Sequence, residues 1–152
     1  MRAGLVGTGV VVIGMIVLVS VAGLAGAPQG EPSTDTRQRL TLPAAERNEI
    51  LAEMRQMLAS LRGILYGLAA NDMPTIETAA RASGMQESAF PPLRKSLPEG
   101  FLKFRLQTHR GFDSLARKAR EGGTREDIIK ELAALTNNCV GCHGAYRVVE
   151  TR

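Results

Sequence analysis

Residues 128–146 read IIKELAALTNNCVGCHGAY, and the spacing inside this stretch decides how the whole chain is read. Ile128, Leu132, Leu135, Cys139, Cys142 and Tyr146 follow one another at steps of four, three, four, three and four. That is the period of one face of an α-helix packed against a core. Both cysteines therefore fall on the same face as the aliphatic residues before them. Thr124 to Asp127 resembles a helix start with a polar cap, so the expected helix runs from Arg125 to about Val148.

The same period recurs upstream. Ile50, Met54, Met57, Leu61, Ile64 and Leu68 again step by four and three, which predicts a long first helix entered near Thr41 and Pro43. Asn71 and Asp72 are stop and start residues, with Pro74 in the first turn of a second, shorter segment reaching about Gly84. Gly84 to Lys95 contains Pro91 and Pro92 and reads as an irregular connection. Ser96 to Glu99 has the form of a capping box, and the third helix carries Phe101, Phe104, Thr108, Phe112 and Leu115 along one side before Gly122 and Gly123 end it. No strand pattern and no internal repeat stand out, so the expectation is an all-α, antiparallel four-helix bundle.

Cys139-Val-Gly-Cys-His143 carries the chemistry. Two thiols three residues apart, followed directly by a histidine, form the attachment sequence for a c-type haem: each thiol adds across one vinyl group, and the imidazole is placed to bind the iron. Three other readings compete. A dithiol redox pair calls for a strand–turn–helix setting; a zinc site would draw on two cysteines and two histidines, two of which are chain neighbours whose side chains diverge on a helix; a disulfide across two helical residues meets the geometry of the bridge poorly.

The N-terminus gives the compartment. After Met1 and Arg2 the chain runs from Ala3 to Ala27 without a charge, ending in small residues, which predicts an export signal or, given its length, a retained membrane anchor over residues 1–27. Residues 28–41 have the polar composition of a flexible linker outside any core. Leu42 to Arg152 is then one small domain. The chain has 19 Lys and Arg against 15 Asp and Glu, a formal net charge of +4. The basic residues are scattered rather than striped, which argues against a nucleic-acid partner.

A haem motif on the last helix of a four-helix bundle resembles the class II c-type cytochromes, the cytochrome c prime family, over about Leu42 to Arg147. Ala145-Tyr146-Arg147 after the motif is similar to that family's usual ending. The resemblance implies one covalent haem c, with thioethers at Cys139 and Cys142 and His143 as the proximal iron ligand. It implies that the first helix supplies the opposite face of the iron. Low-spin members place a methionine there, and Met54 matches that position better than Met57. High-spin members leave the position open, where nitric oxide or carbon monoxide binds. Phe101, Phe104 and Tyr146 are expected to pack against the haem, Arg47 or Arg55 to pair with a propionate, and His109 to be a hydrogen-bonded core histidine. The implied role is an electron carrier rather than an enzyme, working in the periplasm between redox partner proteins. It is either free after signal cleavage or tethered by its N-terminal segment, and a homodimer through the first two helices is the family's habit.

Overall fold

A computed structural model describes residues 34–86 and 97–151. The expected signal or anchor over residues 1–27, most of the connection after Gly84, and Ser96 with its expected capping box lie outside the described residues. Asp35 to Arg152 forms one compact unit. Its elements run β1 (Gln38–Leu42), α1 (Ala44–Ala70), α2 (Met73–Arg81), α3 (Glu99–Arg120), α4 (Arg125–Ala145) and β2 (Tyr146–Glu150). Among the described residues no helix is long and apolar enough to cross a membrane.

The helix boundaries follow local chemistry. α1 begins behind Pro43, not Thr41, and closes at Asn71, whose left-handed backbone (φ 55°) lets the amides of Asn71 and Asp72 turn back onto the carbonyls of Leu68 and Gly67. Asp72 then caps α2, its carboxylate accepting from the Thr75 amide at 3.1 Å and the Thr75 hydroxyl at 2.6 Å. α3 starts behind Pro98 with no side-chain cap. α4 carries a complete capping box: Thr124 Oγ1 accepts from the Asp127 amide at 3.1 Å, and Asp127 accepts from the Thr124 amide at 3.0 Å.

The helices pack in chain order, α1 on α2, α2 on α3 and α3 on α4. Along α1, Gly63 and Gly67 leave no room for a side chain. A Cβ would come within 2.6 Å of Ala79 Cβ and of Ile76 Cγ1 respectively, so these two positions set how closely α2 approaches. The main core joins Ile64 and Leu68 of α1, Ile76 and Ala80 of α2, and Phe112, Leu115, Ile128 and Leu135 of α3 and α4. Ile64, Leu68, Phe112, Leu115, Ile128 and Leu135 are residues that the helical period selected; Ile76 and Ala80 of α2 are not.

Two expectations fail together. Part of the predicted linker and the end of the predicted fourth helix are strands, β1 and β2, paired in parallel with Gln38 opposite Tyr146 and Leu42 opposite Glu150. Leu40 and Leu42 are buried with Ile50, Leu97 and Phe101 in a second core, against which Met54, Cys142, Tyr146 and Val148 also pack. Residues 38–41 therefore belong to the packed domain, and α4 stops at Ala145 rather than near Val148. A two-stranded sheet is marginal alone. This one is held because alternate residues of β1 are turned into an apolar layer.

Candidate functional site

The second core opens into a small apolar cleft lined from α1, α3 and α4. Met54, Phe101, Phe104, Cys139, Cys142 and His143 all line it, as does Met57. Six of the seven residues that the sequence singled out for the site therefore come together. The seventh, Tyr146, is the first residue of β2 and stands behind the wall: its ring meets Phe101 edge-on at 5.6 Å and Phe104 at 6.5 Å. Arg47 and Arg55 are not among the lining residues.

α4 positions the motif. Cys139 and Cys142 are one turn apart, both half-buried and both free thiols. Desolvation raises the Cys139 thiol, and burial, reinforced by the neighbouring Cys139, pushes Cys142 up to about 11. Such thiols lack the depressed titration of an attacking dithiol centre. Among the described residues no group of three His, Cys, Asp or Glu side chains is arranged to hold a bare metal ion. Gly141, between the cysteines, lies under the Phe104 ring.

His143 is exposed at the mouth of the cleft, in the last turn of α4. Its backbone carbonyl accepts a hydrogen bond from Arg37 Nη1 at 3.2 Å, and Arg37 is in turn paired with Asp35 at 2.7 Å. Asp35 also lies 3.6 Å from Arg147 Nη1. The segment ahead of β1 thus braces the helix end that carries the histidine, a role invisible in its linker-like composition.

The opposite wall holds a polar cluster of which the sequence reading named only His109, as a hydrogen-bonded core histidine; its partners Glu53 and Arg105 were missed. Arg105 donates through Nε and Nη2 to the two carboxylate oxygens of Glu53, each at 2.7 Å. His109 Nε2 lies 2.9 Å from Glu53 Oε1, and its Nδ1 lies 2.8 Å from the Ser83 carbonyl. Burial raises Glu53, yet the hydrogen bonds and charges of His109 and Arg105 outweigh it and hold the carboxyl below the usual range. Arg105 was detectable: Phe101, Arg105, Thr108 and Phe112 step by four, three and four, which puts a guanidinium on the apolar seam of α3.

The arrangement suits a flat, largely apolar macrocycle. Most of its lining is aliphatic, aromatic and thioether, with the paired Glu53 and Arg105 on one side; two desolvated thiols sit one turn apart, and a nitrogen and a sulfur donor could hold an iron. No protein family, curated protein or solved structure matches this chain in comparisons with known proteins.

Proposed function

We propose that this chain is an exported monohaem c-type cytochrome that carries single electrons between redox partner proteins. Cys139 and Cys142 are the thioether positions, His143 is the proximal iron ligand and Met54 the distal one. The observation that carries the reading is that Met54 of α1 lines the same apolar cleft as Cys139, Cys142 and His143 of α4. In this reading the four helices form the antiparallel bundle of the cytochrome c prime family, and residues 1–27 direct the domain to the periplasm as a cleaved signal or a retained anchor.

When bound, haem c supplies a one-electron iron couple. The chain's own residues do the rest. The His143 imidazole and the Met54 thioether would hold the iron, and such a donor pair would raise its potential and favour electron transfer over substrate binding. Phe101, Phe104 and Ile50 keep water from the cleft and lower its effective dielectric. His143, exposed at the mouth, marks the edge through which a partner is reached.

The test is the absorption spectrum of the purified holoprotein, reduced, with and without carbon monoxide, for the wild type and Met54→Ala. Sharp low-spin bands indifferent to the gas in the wild type, and a high-spin, gas-sensitive spectrum in the variant, are expected. A low-spin spectrum that persists in Met54→Ala would remove Met54 from the iron. A wild type that binds carbon monoxide directly would replace electron transfer by gas binding at an open position, with Met54 and Met57 as mere wall residues.

A further inference from the structure

α1 carries two stripes at helical spacing. Ile50, Met54, Met57, Leu61, Ile64 and Leu68 pack into or against the two cores. Leu51, Arg55, Leu58, Arg62, Leu65 and Ala69 repeat the same steps of four and three on another side of the helix. Leu58 and Leu65 of that outer stripe are 66 % and 58 % exposed, and the adjoining Tyr66 is 68 % exposed. These are three of the five large apolar side chains that the described residues expose, gathered on one helix face, where scattered ones would need no explanation. Leu58, Leu61, Leu65 and Tyr66 border an open, apolar groove along it.

The charges of α1 are sorted in the same way. Arg47, four residues before Leu51, joins Arg55 and Arg62 on the outer stripe. The carboxylates of the helix lie elsewhere: Glu53 is in the cleft wall, and Glu46 and Glu49 fall well round the helix from the stripe. From Met54 to Ala70 the helix has no acidic residue. The Arg62 guanidinium lies over the Tyr66 ring, 5.7 Å from its centroid, which holds a cation beside the apolar patch.

We propose that the outer face of α1, from Arg47 to Ala69, docks on an anionic phospholipid surface, its leucines and Tyr66 entering the headgroup layer while the three arginines meet lipid phosphates. Basic residues, leucines and an amphipathic ring on one helical face are the composition of a helix that lies in a membrane interface. Each arginine near such a surface adds to the attraction. A second copy of the chain suits the face poorly. A two-fold pairing of like faces would set Arg47, Arg55 and Arg62 against the same three residues, and α1 brings no carboxylate there to offset them. The expected signal or anchor over residues 1–27 brings the chain to a membrane, and only residues 28–37 separate it from β1, at most about 35 Å when fully extended. Ile50, Met54 and Met57, which line the cleft, belong to the other stripe, so the docked face and the cleft are separate surfaces of α1. The inference therefore stands apart from the haem reading.

The experiment is arginine modification by phenylglyoxal, read residue by residue by mass spectrometry on the chain as matured by the cell. It is run with vesicles of phosphatidylcholine alone and with vesicles of equal parts phosphatidylcholine and phosphatidylglycerol. Modification of Arg55 and Arg62 is expected to slow several-fold in the anionic vesicles only, while Arg110 and Arg125, exposed on α3 and α4, keep their rates. The protection is expected to disappear at about 1 M salt, where the screening length is ~3 Å. Leu58→Gln with Leu65→Gln, both at exposed positions, should abolish the protection while leaving the denaturation midpoint in place. Equal rates at Arg55 and Arg62 in the two vesicles would overturn the inference, as would equal slowing at Arg110 and Arg125, or protection that survives in the folded double variant. Slowing that needs no vesicles and grows with protein concentration would also overturn it and assign the face to a second copy. The wild-type footprint decides the matter even where the double variant does not fold.

Discussion

Gly141, the second of the two residues between the cysteines, and Phe104 of α3 are in direct apposition: a Cβ at Gly141 would stand 2.8 Å from Phe104 Cε1 and 3.0 Å from its Cζ. The turn between the two cysteines and the aromatic wall of the cleft are therefore built to each other's shape. Gly141→Ala is expected to destabilise the domain by about 1–3 kcal/mol through overpacking, outweighing the gain in helix propensity. With the ring removed by Phe104→Ala, the same change should become neutral or favourable. A double-mutant cycle by urea denaturation measures this, and additive effects would deny the contact.

Glu53 ties stability to pH. Its carboxyl is pushed up by burial but is held below its ordinary value by His109 and Arg105. The stabilisation is fully present above the unfolded value of about 4.3 and is lost as pH falls through the lower folded value. Glu53→Gln should cost about 3 kcal/mol at neutral pH, because the buried Arg105 guanidinium loses its bidentate carboxylate and His109 loses a hydrogen-bond partner. It should also flatten the part of the acid limb below pH ~4. Chemical denaturation at several pH values checks both, and equal acid sensitivity in the variant would assign the limb to other carboxyls.

Ser60 of α1 and Ser83 after α2 share a buried hydroxyl–hydroxyl hydrogen bond of 2.8 Å. Replacing one partner strands the other without water, so Ser60→Ala should cost about 1–3 kcal/mol. Ser60→Ala with Ser83→Ala should cost less than the sum of the single changes. Thermal unfolding of the three variants provides the measurement.

Leu42 is 1 % exposed and faces the second core from β1. Leu42→Ala should lose about 3 kcal/mol, within the usual range for a buried leucine. A solvated linker residue would lose almost nothing. Denaturant midpoints at an unchanged slope would read the difference directly.

The helical segments were legible because each repeats its own period many times. Ile50 to Leu68 and Ile128 to Cys142 state which face is inward without reference to any other part of the chain. Asn71, Asp72 and Thr124 mark boundaries through bonds to residues three or four positions away, and those bonds are present. β1 and β2 offered no comparable signal. In Gln38 to Leu42 only two leucines alternate, and Tyr146 to Glu150 continues directly from a helix. Each becomes a strand by pairing with a partner at the other end of the domain.

The candidate site divides along the same line. Cys139, Cys142 and His143 are a local constellation whose spacing alone carries the proposed covalent chemistry, and the proposed part of Met54 follows from its place on a helical seam. That Met54 and the motif border one cleft depends on how α1, α3 and α4 meet. His109 is held by Glu53, 56 positions away in the chain, and by one backbone carbonyl 26 positions away. Local period and short motifs record interactions within a few turns, whereas an ion cluster or a parallel strand pair is a relation between distant segments. Such relations exist only once packing has excluded water from between them.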